Sequence, residues 1–363
     1  MKIGLIAEPY EEGHASGMGY VVLELMQQFV KNSAHEYIFY SSKPISRDLI
    51  PGTYTNVLIP KGFVRQWFWF LRYRGDADVL VYMVPLLPLW LPRRVMSVPM
   101  CQELGSQKIK PGRLSGKIIA FVRDHLLMPI TLRRSVGVVA ASNATKEDVI
   151  HYYGIPDKKI TVIYDGFQNL LPVAATAPAV DARLKPFFFF AGKVKPRKNV
   201  HRIVSAFIDY KERTQSSAHL VIAGDHGGAY YHQMVEEIRD HHLEESVHFV
   251  GYVTIEQLCS FYTHAIACVF PSINEGFGMP ILEAMSLGTP VMTSNLSSMI
   301  EVGGDAALLV DPFSVEDISH GLEKLQNDMA FRTQCIERGR RHAAKFSWSK
   351  TAKEYVALLE KLV

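Results

Sequence analysis

Ala265-Ile266-Ala267-Cys268-Val269-Phe270-Pro271-Ser272-Ile273-Asn274-Glu275-Gly276-Phe277-Gly278-Met279-Pro280-Ile281-Leu282-Glu283 is the stretch on which the fold turns. Its first eight residues form an apolar run with the length of a buried strand. Pro280 suits the first turn of a helix, where its missing N–H costs nothing. The stretch therefore reads as strand, glycine turn, helix. The amides that follow Glu275, those of Gly276, Phe277, Gly278 and Met279, are expected to face an anion at the helix start. Glu275 and Glu283 bracket the turn, roughly 12 Å apart if the segment is helical throughout. A phosphate cradle flanked by two carboxylates is the arrangement a sugar nucleotide needs.

Outward from this stretch, short apolar runs alternate with longer amphipathic ones, the pattern of an α/β chain with mostly parallel strands. Strands are expected at 2–7, 36–40, 79–83, 98–101, 136–140 and 159–163. A helix is expected over 19–31, with Val22, Leu25, Met26 and Phe29 on one face. The segment 173–186 is poor in charge and punctuated by proline, and reads as a linker. Beyond it the pattern restarts, with strands at 187–191, 219–223, 247–250, 266–270, 291–293 and 307–310 and a helix at 200–210. The expected organisation is a first domain over 1–172, the linker, and a second domain over 187–347. A closing helix within 348–363 is expected to cross back to the first domain. Two doubly wound, Rossmann-like domains facing a cleft follow, with ligands beyond the carboxyl ends of the strands.

Composition narrows the class. At 363 residues the chain exceeds one ordinary core, and 48% hydrophobic with 21% charged residues is normal for a globular enzyme. No apolar run of about twenty residues is present, so a spanning helix is not expected. The opening Met1-Lys2-Ile3-Gly4-Leu5-Ile6 reads as a first strand rather than a signal peptide. Cys101, Cys259, Cys268 and Cys335 lack Cys-x-x-Cys spacing, which argues against zinc and disulfides; two of them are expected in the core. A cytoplasmic protein is the expectation. The net charge of +3 divides into +6 for residues 1–170 and −3 for the rest, and the stretch 61–134 alone carries +9. There Trp67, Phe68, Trp69 and Phe70 stand beside Arg65, Arg72 and Arg74. Cations interleaved with aromatics suit either a solvated basic face over an aromatic cluster or peripheral contact with an anionic membrane. Nucleic acid is not expected, since no binding motif accompanies the charge.

Several segments together resemble the retaining GT-B glycosyltransferases of family 4, the glycosyl transferases group 1. They are Ala191-Gly192-Lys193-Val194-Lys195-Pro196-Arg197-Lys198-Asn199, Val250-Gly251-Tyr252-Val253, the stretch from Phe270 through Glu275 and Glu283 to Val291, and Glu301-Val302-Gly303-Gly304-Asp305 with Val310-Asp311-Pro312. The likeness covers the second half and is looser in the first, through Gly17-Met18-Gly19 and Tyr164-Asp165-Gly166. It implies transfer of a sugar from a nucleotide donor with retention and without an obligatory metal. It implies Arg197 and Lys198 at the diphosphate, with Lys193 as a further phosphate contact. Glu275 is then the donor-sugar carboxylate and Glu283 the ribose carboxylate, both accepting hydroxyl hydrogen bonds. Tyr252 and Val253 are implied at the nucleobase. Gly17 and Gly19, in a loop that also holds His14, are expected to close over the donor.

One place departs from the family. Many relatives carry a His-Asp pair after a first-domain strand, where this chain has Gln102-Glu103. Gln102 can hydrogen-bond a sugar hydroxyl but carries no proton near neutral pH, and Glu103 is left to hold the acceptor or to position Gln102. With no enzymatic nucleophile marked, front-face substitution is the expected mechanism. GDP-mannose is the first expected donor and a UDP-hexose the second. The acceptor is a glycan or a lipid-phosphate-linked sugar. Two rivals share the fold: a nonhydrolysing sugar-nucleotide epimerase and a catalytically silent binding subunit.

Overall fold

The structure, a computed structural model, describes all residues except 9–16, 71, 74, 84–90, 93 and 105–121, and leaves the side chains of Phe63, Val64, Trp67 and Arg123 undescribed. The loop holding His14, together with Arg74 and much of the basic stretch, lies outside the described residues. The chain divides into two compact units, Met1–Gly166 with Ser347–Val363, and Phe167–Phe346.

The first unit is built on a seven-stranded, wholly parallel sheet. Its strands are β1 (Lys2–Ile6), β2 (Glu36–Ser41), β3 (Thr55–Leu58), β4 (Val79–Met83), β5 (Met96–Cys101), β6 (Val138–Ala140) and β7 (Ile160–Val162), in the order β3-β2-β1-β4-β5-β6-β7. Every residue of β4 is buried, as both faces of a parallel sheet are covered. β3 is the one strand here that no apolar run announces. It is an edge strand, half-exposed, and Asn56 on it donates through Nδ2 to Phe39 O at 3.0 Å and Ser41 Oγ at 2.8 Å. Helix α1 (Gly17–Phe29) begins two residues earlier than expected, so Gly17 and Gly19 belong to its first turn rather than to a loop. Helix α2 (Phe63–Phe70) carries the aromatic run, with Trp69 and Phe70 packed into the core and Phe68 59% exposed. After a π-helical turn at Arg123–Leu127 come α3 (Met128–Arg134) and α4 (Asn143–Tyr153), the latter capped by Ser142 Oγ accepting from Thr145 N–H at 3.0 Å.

The last helix of the chain completes this unit. It runs Trp348–Leu362, capped by Ser347, and lies against α1: Tyr355 meets Phe29 edge-on at 6.3 Å and Trp348 meets Tyr20 at 6.0 Å. Gly166 accepts this packing because a Cβ there would stand 2.3 Å from the Trp348 nitrogen.

The second unit repeats the architecture with a six-stranded parallel sheet in the order β10-β9-β8-β11-β12-β13. The strands are β8 (Phe187–Ala191), β9 (His219–Ala223), β10 (Val247–Gly251), β11 (Cys268–Phe270), β12 (Val291–Ser294) and β13 (Leu308–Val310). Phe187, Phe188, Phe189 and Phe190 are all fully buried, since alternate rings enter opposite faces. Phe189 stacks on Phe261 at 5.2 Å and Phe190 on Phe270 at 5.8 Å. The helices are α5 (Val200–Thr214), α6 (Gly228–Asp240), α7 (Ile255–His264), α8 (Met279–Ser286), α9 (Met299–Gly303), α10 (Val315–Asn327) and α11 (Met329–Ala343); numbering the helix at Trp348–Leu362 in sequence makes it α12. The stretch 173–186 belongs to this unit and is partly ordered, with short helical turns at Leu171–Ala174 and Ala182–Leu184. All four cysteines are buried and reduced, not two: Cys259 and Cys335 sit on the inner faces of α7 and α11.

Candidate functional site

In the second sheet, β8 and β11 are neighbours whose onward connections run to opposite sides. This is the topological switch point, where loops beyond the strands diverge and leave a crevice. Both signature segments end there. After β8, Gly192 turns the chain with φ +148°, and Pro196–Lys198 forms a single 3₁₀ turn. Asn199 then takes the left-handed conformation, φ 63°, which asparagine tolerates better than most residues.

Asn199 is fully buried, and its side chain fixes the site. Its Nδ2 donates to Pro271 O at 3.1 Å and Pro312 O at 2.6 Å, while Oδ1 accepts from Arg202 Nη1 at 2.9 Å. Arg197 O accepts from Ile273 N–H at 2.9 Å and lies 2.9 Å from the Ser272 hydroxyl. The loop that carries the cations is thereby joined to the loop that carries Glu275. Each such bond contributes about 1 kcal/mol net, but all act on the same spacing.

Glu275 is only 8% exposed and bonds to both cations. Its Oε2 accepts from Arg197 Nη1 at 2.9 Å, and its Oε1 lies 2.7 Å from Lys198 Nζ and 2.8 Å from Ser272 Oγ. Burial pushes the Glu275 carboxyl up, but Lys198 and Arg197 more than offset it and hold the group below the ordinary carboxylate value. Its main-chain carbonyl accepts from Ser298 Oγ at 2.8 Å and Ser297 Oγ at 3.2 Å. Lys198 Nζ also stands over the Phe270 ring, 4.6 Å from its centroid.

The turn beyond Glu275 adopts the expected form. Gly278 is left-handed at φ 116°, where a Cβ would lie 2.7 Å from the Met299 side chain, and Pro280 stands in the first turn of α8. Gly276 is buried, and Phe277 packs edge-on against Phe346 at 5.7 Å, so its ring is structural while its amide belongs to the turn. Met279 opens α8. Glu283, one turn further on, is half-buried and forms no ion pair among the described residues; Tyr262 OH donates to its Oε2 at 3.1 Å. Burial raises its pKa to about 7 despite Tyr262 and the field of Lys198.

The other expected site residues are carried by other segments. Lys193 is exposed and ion-paired to Asp225, which follows β9. Gly224 allows that loop to close: a Cβ there would come 2.1 Å from Gly192 O. Tyr252 is 91% exposed just past β10, with Val253 half-buried beside it ahead of the capping box that opens α7. Gln102, Glu103, Gly17 and Gly19 belong to the first unit. Gln102 is half-buried after β5 and bonds to Asp165 Oδ1 at 3.2 Å; Glu103 is half-buried ahead of buried Leu104. Sequence reasoning missed Ser272, Asn199, Tyr262 and Asp165 as partners. The Asn after Arg197-Lys198 was the one available signal, since a polar residue at a helix start after a turn is an obvious tether. Among the described residues, no group of three or more His, Cys, Asp or Glu side chains is placed to hold a metal ion.

Known proteins resemble this chain in sequence and in fold. Residues 181–342 match the family described as glycosyl transferases group 1. The O-antigen chain mannosyltransferase B of Escherichia coli is 32% identical over 219 residues, covering 58% of this chain and 57% of that protein. The match therefore spans little more than half of that relative's length. In fold, sucrose-phosphate synthase from Thermosynechococcus elongatus superposes with a TM-score of 0.77 at 18% identity, covering 99% of this chain and 98% of that one. The Anabaena protein HepE, solved with UDP and glucose, does so with a TM-score of 0.76 at 14% identity, covering 99% and 100%. At these identities the likeness carries the fold, the two Rossmann-like domains of GT-B proteins. The crevice residues Arg197, Lys198, Glu275 and Glu283 all fall within the segment that matches the glycosyl transferases group 1.

Proposed function

We propose that this protein is a retaining glycosyltransferase that moves a hexose, mannose first, from a nucleotide sugar to a glycan or lipid-linked acceptor. The observation that carries the reading is the buried Glu275 carboxylate between Arg197 and Lys198 at the switch point of the second sheet. Two cations and the start of α8 suit a diphosphate, and a carboxylate beside them suits sugar hydroxyls. When a diphosphate takes over the cations, Glu275 is released to accept from the sugar. Glu283 accepts from ribose hydroxyls, and exposed Tyr252 with Val253 lines the base. Gln102 and Glu103 act from the first unit, with Gly17 and Gly19 at the start of α1.

In the reaction the acceptor hydroxyl attacks the anomeric carbon from the face the diphosphate leaves. The carbon–oxygen bond to the diphosphate breaks, and the hydroxyl proton passes to the departing phosphate oxygen. The protein contributes position and charge: Arg197 and Lys198 stabilise the negative charge that grows on the leaving group. These cations supply what a divalent ion would otherwise bring, so the reading requires no metal or further cofactor. The name of the Escherichia coli relative supports mannose and hence GDP-mannose; the UDP and glucose of the Anabaena structure keep a UDP-hexose as the second donor.

No helix of the described residues is long and apolar enough to cross a membrane. Peripheral contact with an anionic membrane through 61–134 is the partner reading for the basic stretch. It is supported by exposed Lys61, Arg65, Phe68 and Arg72 on and beside α2. Screening GDP-mannose and UDP-glucose against a lipid-phosphate acceptor and a free mannoside, side by side, tests the function. Transfer with retention from one donor is expected. Conversion of the donor's sugar without acceptor would favour an epimerase, and no binding of any sugar nucleotide would end the donor-site reading.

A further inference from the structure

Gln102 follows β5 and Asp165 follows β7, so they meet across the end of β6. Gln102 is held at both its main chain and its side chain. Thr145 Oγ1, in the first turn of α4, lies 3.1 Å from the Gln102 carbonyl oxygen, to which it donates, and Thr145 is itself bonded to Ser142. The Gln102 side chain donates through Nε2 to Asp165 Oδ1 at 3.2 Å, and Asp165 is 2% exposed. A carboxamide has one donor end and one acceptor end. With the amino end on a buried carboxylate, the acceptor end is turned away from it.

We infer that Asp165 is a positioning residue, holding the Gln102 carboxamide by its amino end so that Oε1 is the atom offered to a hydroxyl of the donor sugar. The inference rests on Gln102 being a sugar contact, as proposed above. A surface glutamine exchanges its two ends at little cost; one tethered to a buried, ionised carboxylate does not, because reversing it sets two acceptors against each other, and with Asp165 raised to about 7 the tether is read in titrations at about pH 8. The surroundings agree. Burial raises Asp165 to about 7 and the Gln102 amide pulls it down, so its partner is a neutral donor and not a cation. Tyr355 on α12 and Cys101 on β5 face the same interior, and burial pushes both groups up. Tethered this way, Gln102 offers an acceptor and selects for a hydroxyl donor on the ligand.

Titration of the protein with GDP-mannose and GDP, and with UDP-glucose and UDP, reads the sugar contact as the ratio of the two Kd values. Gln102→Ala is expected to shrink that ratio about tenfold and Asp165→Asn by about three- to tenfold, with no further loss in the double variant. Gln102→Glu keeps an acceptor oxygen but loses the donor to Asp165, and is expected to behave as Gln102→Ala. An unchanged ratio in Asp165→Asn, or equal effects of Asp165→Asn with and without Gln102, overturns the inference alone. A Gln102→Ala ratio equal to the parent's overturns both the sugar contact and the inference. A lower Tm with an unchanged ratio assigns Asp165 to folding, and retention of the full ratio by Gln102→Glu overturns the tether even where Asp165 variants fail to fold.

Discussion

Asp165 in the first unit and Glu275 in the second both sit beyond the carboxyl ends of parallel strands, with exposures of 2% and 8%. Burial acts on them in the same direction. Glu275 nevertheless lies below the ordinary carboxylate range, while Asp165 is raised to about 7. The difference is in the partners: a guanidinium and an ammonium for one, an uncharged amide for the other. One sheet end thus pairs its buried carboxylate with two cations, the other with a neutral amide. Burial alone does not make a carboxylate an anion; its neighbours do.

The most forceful way to break this comparison is Glu275→Gln. It removes the carboxylate that Arg197 and Lys198 share, and a stability loss of about 3 kcal/mol is expected in denaturant titrations of the free protein. GDP should restore more stability to this variant than to the parent, while mannosyl transfer falls about 100- to 1000-fold. Equal loss of GDP binding and transfer would remove the sugar role of Glu275. Next in size, Lys198→Ala should weaken GDP or UDP binding by about 10- to 100-fold in calorimetry. A loss seen with the sugar nucleotide but not with the plain diphosphate would move Lys198 from the diphosphate to the sugar.

A pH series sharpens the contrast. The folded values of Asp165 and Glu283 are raised from 3.8 and 4.5 to about 7. Their contribution is therefore full below those ordinary values and is lost as pH climbs towards 7. Glu275 has the opposite sign: its contribution is present above its ordinary value of 4.5 and is lost as pH falls through its lower folded value. Asp165→Asn and Glu283→Gln should each flatten the decline in unfolding free energy between about pH 4 and 7, by up to about 1.4 kcal/mol per pH unit. An unchanged slope would mean that these carboxylates are ionised and solvated. The smallest effect is expected from Lys193→Ala. Its pair with Asp225 is solvent-exposed and screened, and GDP affinity should change less than about threefold. A tenfold loss would place Lys193 at the diphosphate beside Lys198.

Much of this arrangement was legible in the chain. Phe187–Ala191, His219–Ala223 and Val79–Met83 announced themselves because buried parallel strands are apolar on both faces. Pro280 marked the start of α8 for the same local reason it occupies that place in the structure. β3 escaped because an edge strand buries little and its polar Asn56 is a tether. The pairing of Glu275 with Arg197 and Lys198 escaped for a different reason. The residues lie 77 and 78 positions from one another in sequence terms, as Lys198 and Arg197 to Glu275, and only the adjacency of β8 and β11 brings them together. Spacing along one segment suggested two carboxylates flanking a phosphate cradle, with no sign of what each would bond to. In the fold Glu275 pairs with cations from another loop, and Glu283 with Tyr262.

The seat of α12 against α1 has a consequence during synthesis. About 180 residues separate Gly166 from Ser347, so at 5–20 residues per second roughly 10–40 s pass between the emergence of the seventh strand and that of the closing helix. During that interval Phe29 and its neighbours on α1 lack their Tyr355 cover, while the whole second unit is made. The order of completion is then second unit before first, although the first is begun earlier.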